Sequence, residues 1–349
     1  MMQDNNAKVP ANMHSTSLVL SVPDLAEALD FFTRGLGFRV DMIVPADAPA
    51  TAVVSGQGVT LRLETGGPTK RMDSVLDLPQ ELVISRLNAQ EAWSAGRAGM
   101  QYRDLIPGRL GGRFIASHIR IPNGGETPDY VHYHKVRFQM IYCKAGWVRV
   151  VYEDQGTPFV LEAGDCVLQP PEIRHRVLES SPGLEVIEIG CPAIHETWAD
   201  HELKLPTAQV LPERRFGGQR FVRHHANRAQ WGSWRLDGFE ARDTGIAAAT
   251  NGLAGVRVAR ATTASQATAE GHAGEFLFLF ILQGELGLDS GEFGNHQLHT
   301  GDSCVIPAGI GYTMRASAEL ELLEVSLPAE LPLAKTDASD WKFNNASHS

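Results

Sequence analysis

The stretch that decides the fold runs from Gly146 to His175 and reads GWVRVVYEDQGTPFVLEAGDCVLQPPEIRH. A second stretch, from Gly284 to Tyr312, follows the same plan and reads GELGLDSGEFGNHQLHTGDSCVIPAGIGY. A self-match that holds a nearly constant offset is typical of an internal repeat. The chain therefore carries the same module twice, as copy one and copy two. The matching positions are Gly146 and Gly284, Gly164 and Gly301, Pro170 and Pro307, and Pro192 and Pro328.

Each copy alternates short apolar runs with turn residues, which predicts β-strands. In copy one the runs 147–153 and 158–162 are separated by Asp154-Gln155-Gly156, a favourable hairpin connection. The run 167–169 leads into Pro170-Pro171, which is expected to end a strand. Several short antiparallel strands at this spacing predict a mostly β protein with a sandwich or barrel in each copy.

Composition excludes several classes of protein. The 349 residues carry 31 Lys and Arg against 41 Asp and Glu, so the net charge is 31 − 41 = −10, which argues against nucleic acid as a partner. No apolar run is long enough to span a membrane, and the N-terminus lacks a signal-peptide pattern. The four cysteines show no paired spacing. We therefore predict a cytoplasmic protein whose partner is a small molecule, with no nucleic acid and no membrane.

Three histidines of copy one form a candidate metal site. His132 and His134 bracket Tyr133, and residues two apart on a strand project to the same face. His175 lies five residues after Pro170, on what is predicted to be a neighbouring hairpin. Three imidazoles converging from two strands would leave coordination positions open for a substrate or dioxygen.

These motifs resemble those of the cupin superfamily. The pattern HxH followed by a polar residue and glycine, and then GDxxxxPPxxxH, is similar to its two signature motifs, and the doubled module resembles bicupins over roughly residues 110–330. The resemblance implies two jelly-roll (double-stranded β-helix) cupin barrels and a divalent metal held by His132, His134 and His175. The family's metal-binding Glu position is occupied here by Gln139.

Gln139 bears on the chemistry that this resemblance implies. A neutral amide leaves the full double charge on the metal, which favours an anionic, oxygen-chelating substrate. Similar three-histidine cupins include oxygen-dependent enzymes, so Fe(II) is the expected metal, with Mn, Ni or Zn as alternatives. Gln139 would steer the oxygen species, and Arg120 or Arg137 would hold an anionic group.

The leading hypothesis is thus a metal-dependent, dioxygenase-type cupin oxygenase acting on a small organic substrate in copy one. One alternative is a non-redox isomerase or lyase, in which the metal polarises a carbonyl as a Lewis acid. Another is a bicupin that binds a small molecule without turnover. Oxygen uptake would separate the first from the other two.

Copy two departs from the metal-binding pattern. Alignment on Gly284 places Glu270 and His272 at the HxH positions, Leu277 at the Glu position and Tyr312 at the last His position. One imidazole beside a carboxylate and a phenol is a poor divalent site. Copy two is therefore predicted to complete the bicupin shell without binding metal.

The N-terminal segment has a different pattern. An apolar run at Ser17–Val22, a helix start at Pro23-Asp24, and three further apolar runs predict the order strand, helix, three strands. SLVLSVPDLAEALDFFTRGLGFRV resembles one half of the vicinal-oxygen-chelate, or glyoxalase-like, fold. That family's metal site needs two such units, and Ser17 stands where a histidine ligand often lies. We interpret the unit as a packing or dimerisation element, which gives the hypothesis of a homodimer.

The predicted organisation has six parts. They are the glyoxalase-like βαβββ half-module (1–66), a connector that is partly helical (67–108), cupin 1 with the metal site (109–207), a second connector (208–228), cupin 2 with the degenerate site (229–330) and a tail (331–349).

Overall fold

The computed structural model of the protein describes residues 18–66, 81–87, 93–95 and 99–334. Over these ranges the chain is mostly β, as predicted, and it falls into two compact units divided after residue 71. No helix within the described ranges has the length and apolar character needed to cross a membrane. The finer boundaries proposed above within the second unit remain predictions.

The first unit is one four-stranded sheet with one short helix. Its strands are arranged in the order β1-β4-β3-β2, with β1 parallel to β4 and the other pairs antiparallel. The Asp24 side chain accepts a hydrogen bond of 2.9 Å from the Glu27 N–H and so caps the helix. The predicted βαβββ order is confirmed. Its elements are β1 (Leu18–Val22), α1 (Leu25–Asp30) continued by a π-helical turn (Phe31–Gly35), β2 (Arg39–Val44), β3 (Thr51–Gly56) and β4 (Val59–Thr65).

Copy one is a jelly roll of two facing sheets, which stay open at their edges and do not close into a continuous barrel. One sheet has the order β17-β10-β15-β12-β13, with β9 also paired to β15, and the other has the order β20-β14-β11-β16-β8-β7-β6. The strands are β6 (Ser94–Ala95), β7 (Gln101–Asp104), β8 (Ile115–Ile121), β9 (Gly125–Glu126), β10 (His132–His134), β11 (Phe138–Ala145), β12 (Trp147–Tyr152), β13 (Phe159–Glu162), β14 (Cys166–Leu168), β15 (His175–Ser180), β16 (Leu184–Cys191), β17 (Thr197–Ala199) and β20 (Val222–His224); a helical turn α2 (Arg109–Gly112) precedes β8.

Copy two repeats this plan. Its sheets have the orders β21-β22-β23-β30-β25-β28-β5 and β24-β29-β26-β27, and a separate ribbon β18-β19 lies between the copies in sequence. The elements are β5 (Val83–Ser85), β18 (Arg215–Phe216), β19 (Gln219–Arg220), a 3-10 turn (Ala226–Arg228), β21 (Gly232–Ser233), β22 (Phe239–Asp243), α3 (Ile246–Ala249), β23 (Gly255–Ala261), β24 (Ser265–Ala269), β25 (Phe276–Gln283), β26 (Glu285–Ser290), β27 (Gly294–His299), β28 (Ser303–Val305), β29 (Tyr312–Ala316) and β30 (Glu321–Leu327).

The two copies exchange edge strands. β20, which leads into copy two, pairs with β14 of copy one, and β5, which precedes copy one, pairs with β28 of copy two. Each exchanged strand covers the N–H and C=O groups that β14 or β28 would otherwise expose at a sheet edge. Both segments expected to be connectors therefore take part in the sheets.

The helical expectation for the segment 67–108 is wrong where the structure describes it. Residues Val83–Ser85, Ser94–Ala95 and Gln101–Asp104 are strands, while residues 67–80, 88–92 and 96–98 lie outside the described residues. The physical reason is that Val83-Ile84 gains backbone hydrogen bonds and apolar neighbours at the edge of copy two, and such tertiary contacts override a weak local helical preference.

Three apolar cores organise the second unit. One fills copy one between its two sheets, and it includes Ile119, Val150, Tyr152 and Val186. A second fills copy two, and a third is formed where the two copies pack against each other, with Phe114 stacked on Phe276 at 4.1 Å between ring centroids. Because side chains alternate along a strand, this division shows which face of each strand lies towards the interior of its own copy.

Candidate metal centre

The three candidate histidines are brought together in the interior of copy one. His132 on β10 lies directly opposite His175 on β15, and His175 lies directly opposite Tyr152 on β12. Residues paired across antiparallel strands project to the same face. Tyr152 belongs to the core of copy one, so both imidazoles share its interior face. His134, two residues after His132, projects to the same side, and all three histidines are buried.

The spacing of these side chains suits a single ion. One ligand atom from each of the three lies within 4.8 Å of the other two, and they are the one group of this kind among the residues that the structure describes. The ring centroids of His132 and His175 are 4.3 Å apart, and those of His134 and His175 are 5.3 Å apart. The predicted juxtaposition is thus present.

Each imidazole is oriented by a hydrogen bond at Nδ1. His132 Nδ1 donates to the Tyr130 carbonyl at 2.8 Å, and His175 Nδ1 donates to the Ile173 carbonyl at 3.0 Å. His134 Nδ1 lies 2.9 Å from Thr197 Oγ1. The carbonyl acceptors fix the Nδ1–H tautomer of His132 and His175, and with Nδ1 engaged in all three rings Nε2 is the ring atom that would bind a metal. The donor set therefore fits a divalent metal.

A buried carboxylate lies behind one of the ligands. Asp129 Oδ1 is 3.5 Å from His132 Nδ1, and Asp129 Oδ2 accepts a hydrogen bond of 2.9 Å from the Val177 N–H. The Asp129 side chain is almost fully buried. A carboxylate beside the Nδ1–H group increases the basicity of the ring and so strengthens its bond to a metal.

Tyr152 forms one wall of the site. Its ring stacks on His175 at 5.3 Å between centroids, and its hydroxyl donates to Gln169 Oε1 at 2.5 Å. Burial, and then the negative charge of Glu188, raise the pKa of Tyr152. The phenol therefore stays protonated and acts as a hydrogen-bond donor.

Gln139 lies in the same interior. It is 1% exposed, and it shares its face of β11 with Ile141 and Cys143 of the core of copy one. Its Nε2 donates to Glu188 Oε1 at 2.5 Å, whereas its Oε1 is buried and has no hydrogen-bond partner within the described part of the chain. Glu188 shares its face of β16 with Val186, so a carboxylate and an amide oxygen both project between the two sheets.

Arg120 lies on the opposite face of its sheet. Ile119 and Ile121 of β8 belong to the core of copy one, so Arg120 between them projects away from the interior. Its guanidinium stacks on Trp93 at 3.9 Å, and its Nε donates to Gln101 Oε1 at 2.7 Å. Its position does not support the expectation that Arg120 holds an anionic substrate.

Arg137 is also engaged away from the histidines. Its Nη2 donates to Glu275 Oε2 of copy two at 2.7 Å, both side chains are substantially exposed, and its carbonyl accepts from Gln219. These contacts link the two copies. Of the three residues expected to act catalytically, only Gln139 shares the interior face with the histidines.

Sequence reasoning missed Glu188, Thr197 and His195. The His195 ring lies 5.5 Å from that of His134, and its Nδ1 donates to the Pro192 carbonyl at 2.9 Å, outside the group of three. Glu188 had a sequence signal, because LEVIEIGCPA and LELLEVSLPA place a glutamate at the same point of both copies. Thr197 and His195 had none, since they follow the repeat and reach the site only through the path of the chain.

In copy two the corresponding residues are engaged differently. His272 Nε2 bonds to the Ile306 carbonyl at 3.0 Å and its Nδ1 accepts from the Gly274 N–H at 3.1 Å, so both ring nitrogens are used by the backbone. Tyr312 is hydrogen-bonded to Arg235, and burial raises its pKa to about 12. Glu270 is exposed and Leu277 belongs to the apolar core of copy two.

In copy two an arginine pairs with the buried carboxylate of Glu324. Arg235 Nη2 and Nε donate to Glu324 Oε2 at 2.6 and 2.9 Å, and Trp234 Nε1 donates to Glu324 Oε1 at 3.3 Å. In the repeat Glu324 corresponds to Glu188 and Tyr312 to His175. A guanidinium thus contacts the counterparts of residues that surround the candidate metal position in copy one.

Residues 117–189, which include the three histidines, match the family model described as "Cupin domain". No curated protein matches the chain. Among solved structures, the salicylate 1,2-dioxygenase of Pseudoaminobacter salicylatoxidans in adducts with gentisate aligns with a TM-score of 0.52 and 12% identity over 74% of this chain and 85% of that chain.

Two further structures give a similar result. Oxalate decarboxylase from Bacillus subtilis aligns with a TM-score of 0.51 and 11% identity over 74% of this chain and 79% of its own. Protein Ylba from E. coli aligns with a TM-score of 0.50 and 10% identity over 72% and 94%. At these identities the likeness is one of fold. The described chain has the mostly β, two-module fold of bicupins.

Proposed function

We propose that the protein is a metal-dependent, dioxygenase-type cupin oxygenase that acts on a small, oxygen-chelating organic substrate in copy one. The observation that carries the proposal is the set of three buried histidines whose Nδ1 atoms are all engaged and whose ligand atoms lie within 4.8 Å of one another. Fe(II) is the proposed metal, with Mn, Ni or Zn as alternatives.

Bound iron(II) would supply Lewis acidity and redox chemistry towards dioxygen. The protein supplies the rest. His132, His134 and His175 would hold the metal, and the stacked ring of Tyr152 limits the orientation of His175. The interior between the sheets is lined mainly by apolar side chains, which exclude water and strengthen the polar contacts made there. Gln139 offers a buried amide oxygen to the bound ligand.

The test is oxygen consumption by the full-length protein after anaerobic reconstitution with Fe(II). Candidate 1,2-diketones, hydroxylated aromatic acids and enols would be screened beside His132→Ala/His175→Ala, with the exposed His299→Ala as the control. Oxygen uptake that requires iron and is lost only in the double variant supports the proposal. Metal binding with substrate conversion but no oxygen uptake would favour an isomerase or lyase, and ligand binding insensitive to chelators would favour a binding protein.

We propose that the first unit is a glyoxalase-like half-module through which two copies of the chain pair. In its own sheet β1 is an edge strand, and Leu18 and Val19 on it are 61% and 53% exposed. Light scattering of the full chain and of Val19→Glu tests this. A dimer that dissociates in the variant is expected, and a monomeric wild type would contradict it.

We also propose that the protein works in a reducing compartment such as the cytoplasm. All four cysteines are buried and free. Burial raises the pKa of Cys143, Cys166 and Cys304 to about 12, so these thiols are protonated and unreactive.

A further inference from the structure

Gln139 and Glu188 carry acceptor oxygens and face the interior of copy one from the sheet opposite the histidine-bearing strands. Gln139 Oε1 is fully buried and has no hydrogen-bond partner among the residues that the structure describes, which is costly for an amide oxygen unless a ligand or water supplies a donor. Rotating the Gln139 amide by half a turn would break the hydrogen bond of 2.5 Å that its Nε2 donates to Glu188 Oε1. The Gln139–Glu188 bond therefore fixes which end of the amide is presented.

In copy two, side chains of the protein donate hydrogen bonds to the carboxylate that corresponds to Glu188. There the counterpart of Glu188, Glu324, is 1% exposed and collects donors from Arg235 and Trp234. The counterpart of Gln139 is Leu277, which offers no acceptor. In copy two the donors thus come from the protein itself, whereas in copy one the amide oxygen of Gln139 still lacks one.

From this arrangement we propose that Gln139 and Glu188 form an acceptor pair that selects substrates carrying a hydroxyl group next to their metal-chelating oxygens. The pair would accept a hydrogen bond from that hydroxyl at Gln139 Oε1, with Glu188 holding the amide in place. Gln139 is then a specificity-determining residue and Glu188 a positioning residue. The inference rests on the proposed metal site, and it changes the expected substrate from one held by an arginine to one recognised as a hydrogen-bond donor.

The contacts of the two arginines explain why we expect a hydroxyl group rather than an anionic group to be recognised. Arg120 and Arg137, the cations expected to hold an anionic group, are bound to Gln101, Trp93 and Glu275 away from the histidines. A site built to hydrogen-bond a substrate hydroxyl strongly disfavours an analogue without it, because the buried acceptor is then left without a partner.

The experiment compares two chelators that differ by one hydroxyl. Tropolone and 3-hydroxytropolone would be titrated calorimetrically into full-length protein loaded with Co(II), and bound metal would be measured in the same samples. The wild type is expected to bind 3-hydroxytropolone at least about tenfold more tightly than tropolone. Gln139→Met, which keeps the size of the side chain but removes the amide, is expected to bind both equally.

Two further variants separate the outcomes. Glu188→Gln removes the charge that holds the amide and should reduce the preference, whereas Glu185→Gln, on the opposite face of the same strand, should keep it. Equal binding of both probes by metal-loaded wild type would overturn the acceptor pair and leave the metal site standing. Absence of bound metal in the wild type would instead overturn the proposed function. If Gln139→Met does not fold, retention of the full preference in Glu188→Gln contradicts the positioning role.

Discussion

Asp165 and Asp302 occupy the same position in the two copies and make the same pair of hydrogen bonds. In each case one carboxylate oxygen accepts from the residue three positions earlier, within its own turn, and the other accepts from the segment that carries the exchanged edge strand. The donor distances are 3.3 Å from Glu162 N and 2.8 Å from Ala226 N to Asp165, and 3.0 Å from His299 N and 2.6 Å from Leu87 N to Asp302. The aspartate of each Gly-Asp pair thus hydrogen-bonds to the segment that carries the exchanged strand and stabilises its position.

Substitution of Asp302 should therefore loosen β5. Asp302→Ala leaves two backbone N–H groups without an acceptor, at about 1–3 kcal/mol for each one that is buried. Asp302→Asn keeps one acceptor oxygen, so its free energy of unfolding should lie between those of Asp302→Ala and the wild type. Urea unfolding gives this order, and hydrogen exchange at residues 83–85 should quicken in the same order. Equal stability of all three proteins would contradict the stabilising role of Asp302.

Thr197 should control the metal affinity of copy one through His134. Its Oγ1 lies 2.9 Å from His134 Nδ1, and the residue is 1% exposed. Thr197→Val keeps the shape but removes the hydroxyl, so the imidazole loses the partner that sets its tautomer. Loss of such a partner lowers metal affinity about 10- to 100-fold. Competition with a chromogenic chelator measures this, and Thr197→Ser, which keeps the hydroxyl, should bind metal like the wild type.

The exchange of edge strands and the interior position of Glu188 could not be predicted from the sequence. The repeat, the HxH motif and the hairpin are local patterns, and local patterns predicted the two β modules and brought His132 and His134 to one face. β5 is three residues long, and its partner β28 lies more than 200 residues away, so no periodicity could reveal the pairing. Glu185 and Glu188 lie on one strand but on opposite faces, and only the register decides which is interior.

Arg235 should be needed to keep Glu324 stable inside copy two. Removing Arg235 leaves the buried carboxylate of Glu324 with Arg257 at 4.0 Å as its remaining cationic neighbour, so the cost should be at most about 3–5 kcal/mol, the cost of breaking a buried pair. Arg235→Met is expected to reduce the free energy of unfolding by up to that amount, whereas Arg235→Met/Glu324→Leu should recover most of the loss because the buried carboxylate is gone and Arg257 keeps Asp243 and Glu330 as partners. Denaturant unfolding of the full chain measures both. A double variant no more stable than Arg235→Met would show that Arg235 acts through packing.

Glu185 accepts hydrogen bonds from His118 and Lys144 on the face of β16 opposite the one that carries Glu188. His118 Nε2 is 2.8 Å from Glu185 Oε2, which also accepts from Lys144 Nζ at 2.5 Å. The hydrogen bond from His118, followed by Lys144, lowers the pKa of Glu185 from 4.5 to about 2 in spite of partial burial. Burial lowers the pKa of His118, so the imidazole is neutral at pH 7 and donates its N–H.

The stabilisation that Glu185 provides should depend on pH in a defined direction. Because its folded pKa is lowered, the contribution is fully present above 4.5, the pKa of the unfolded chain, and decreases as the pH falls towards 2. Glu185→Gln should therefore be less stable than the wild type at pH 7, and this difference should shrink between about pH 4.5 and pH 3. Urea unfolding at a series of pH values measures it. Glu179→Gln, which removes a more exposed partner of Arg149, should show little difference at any pH. A constant difference for Glu185→Gln down to about pH 3 would contradict the lowered pKa.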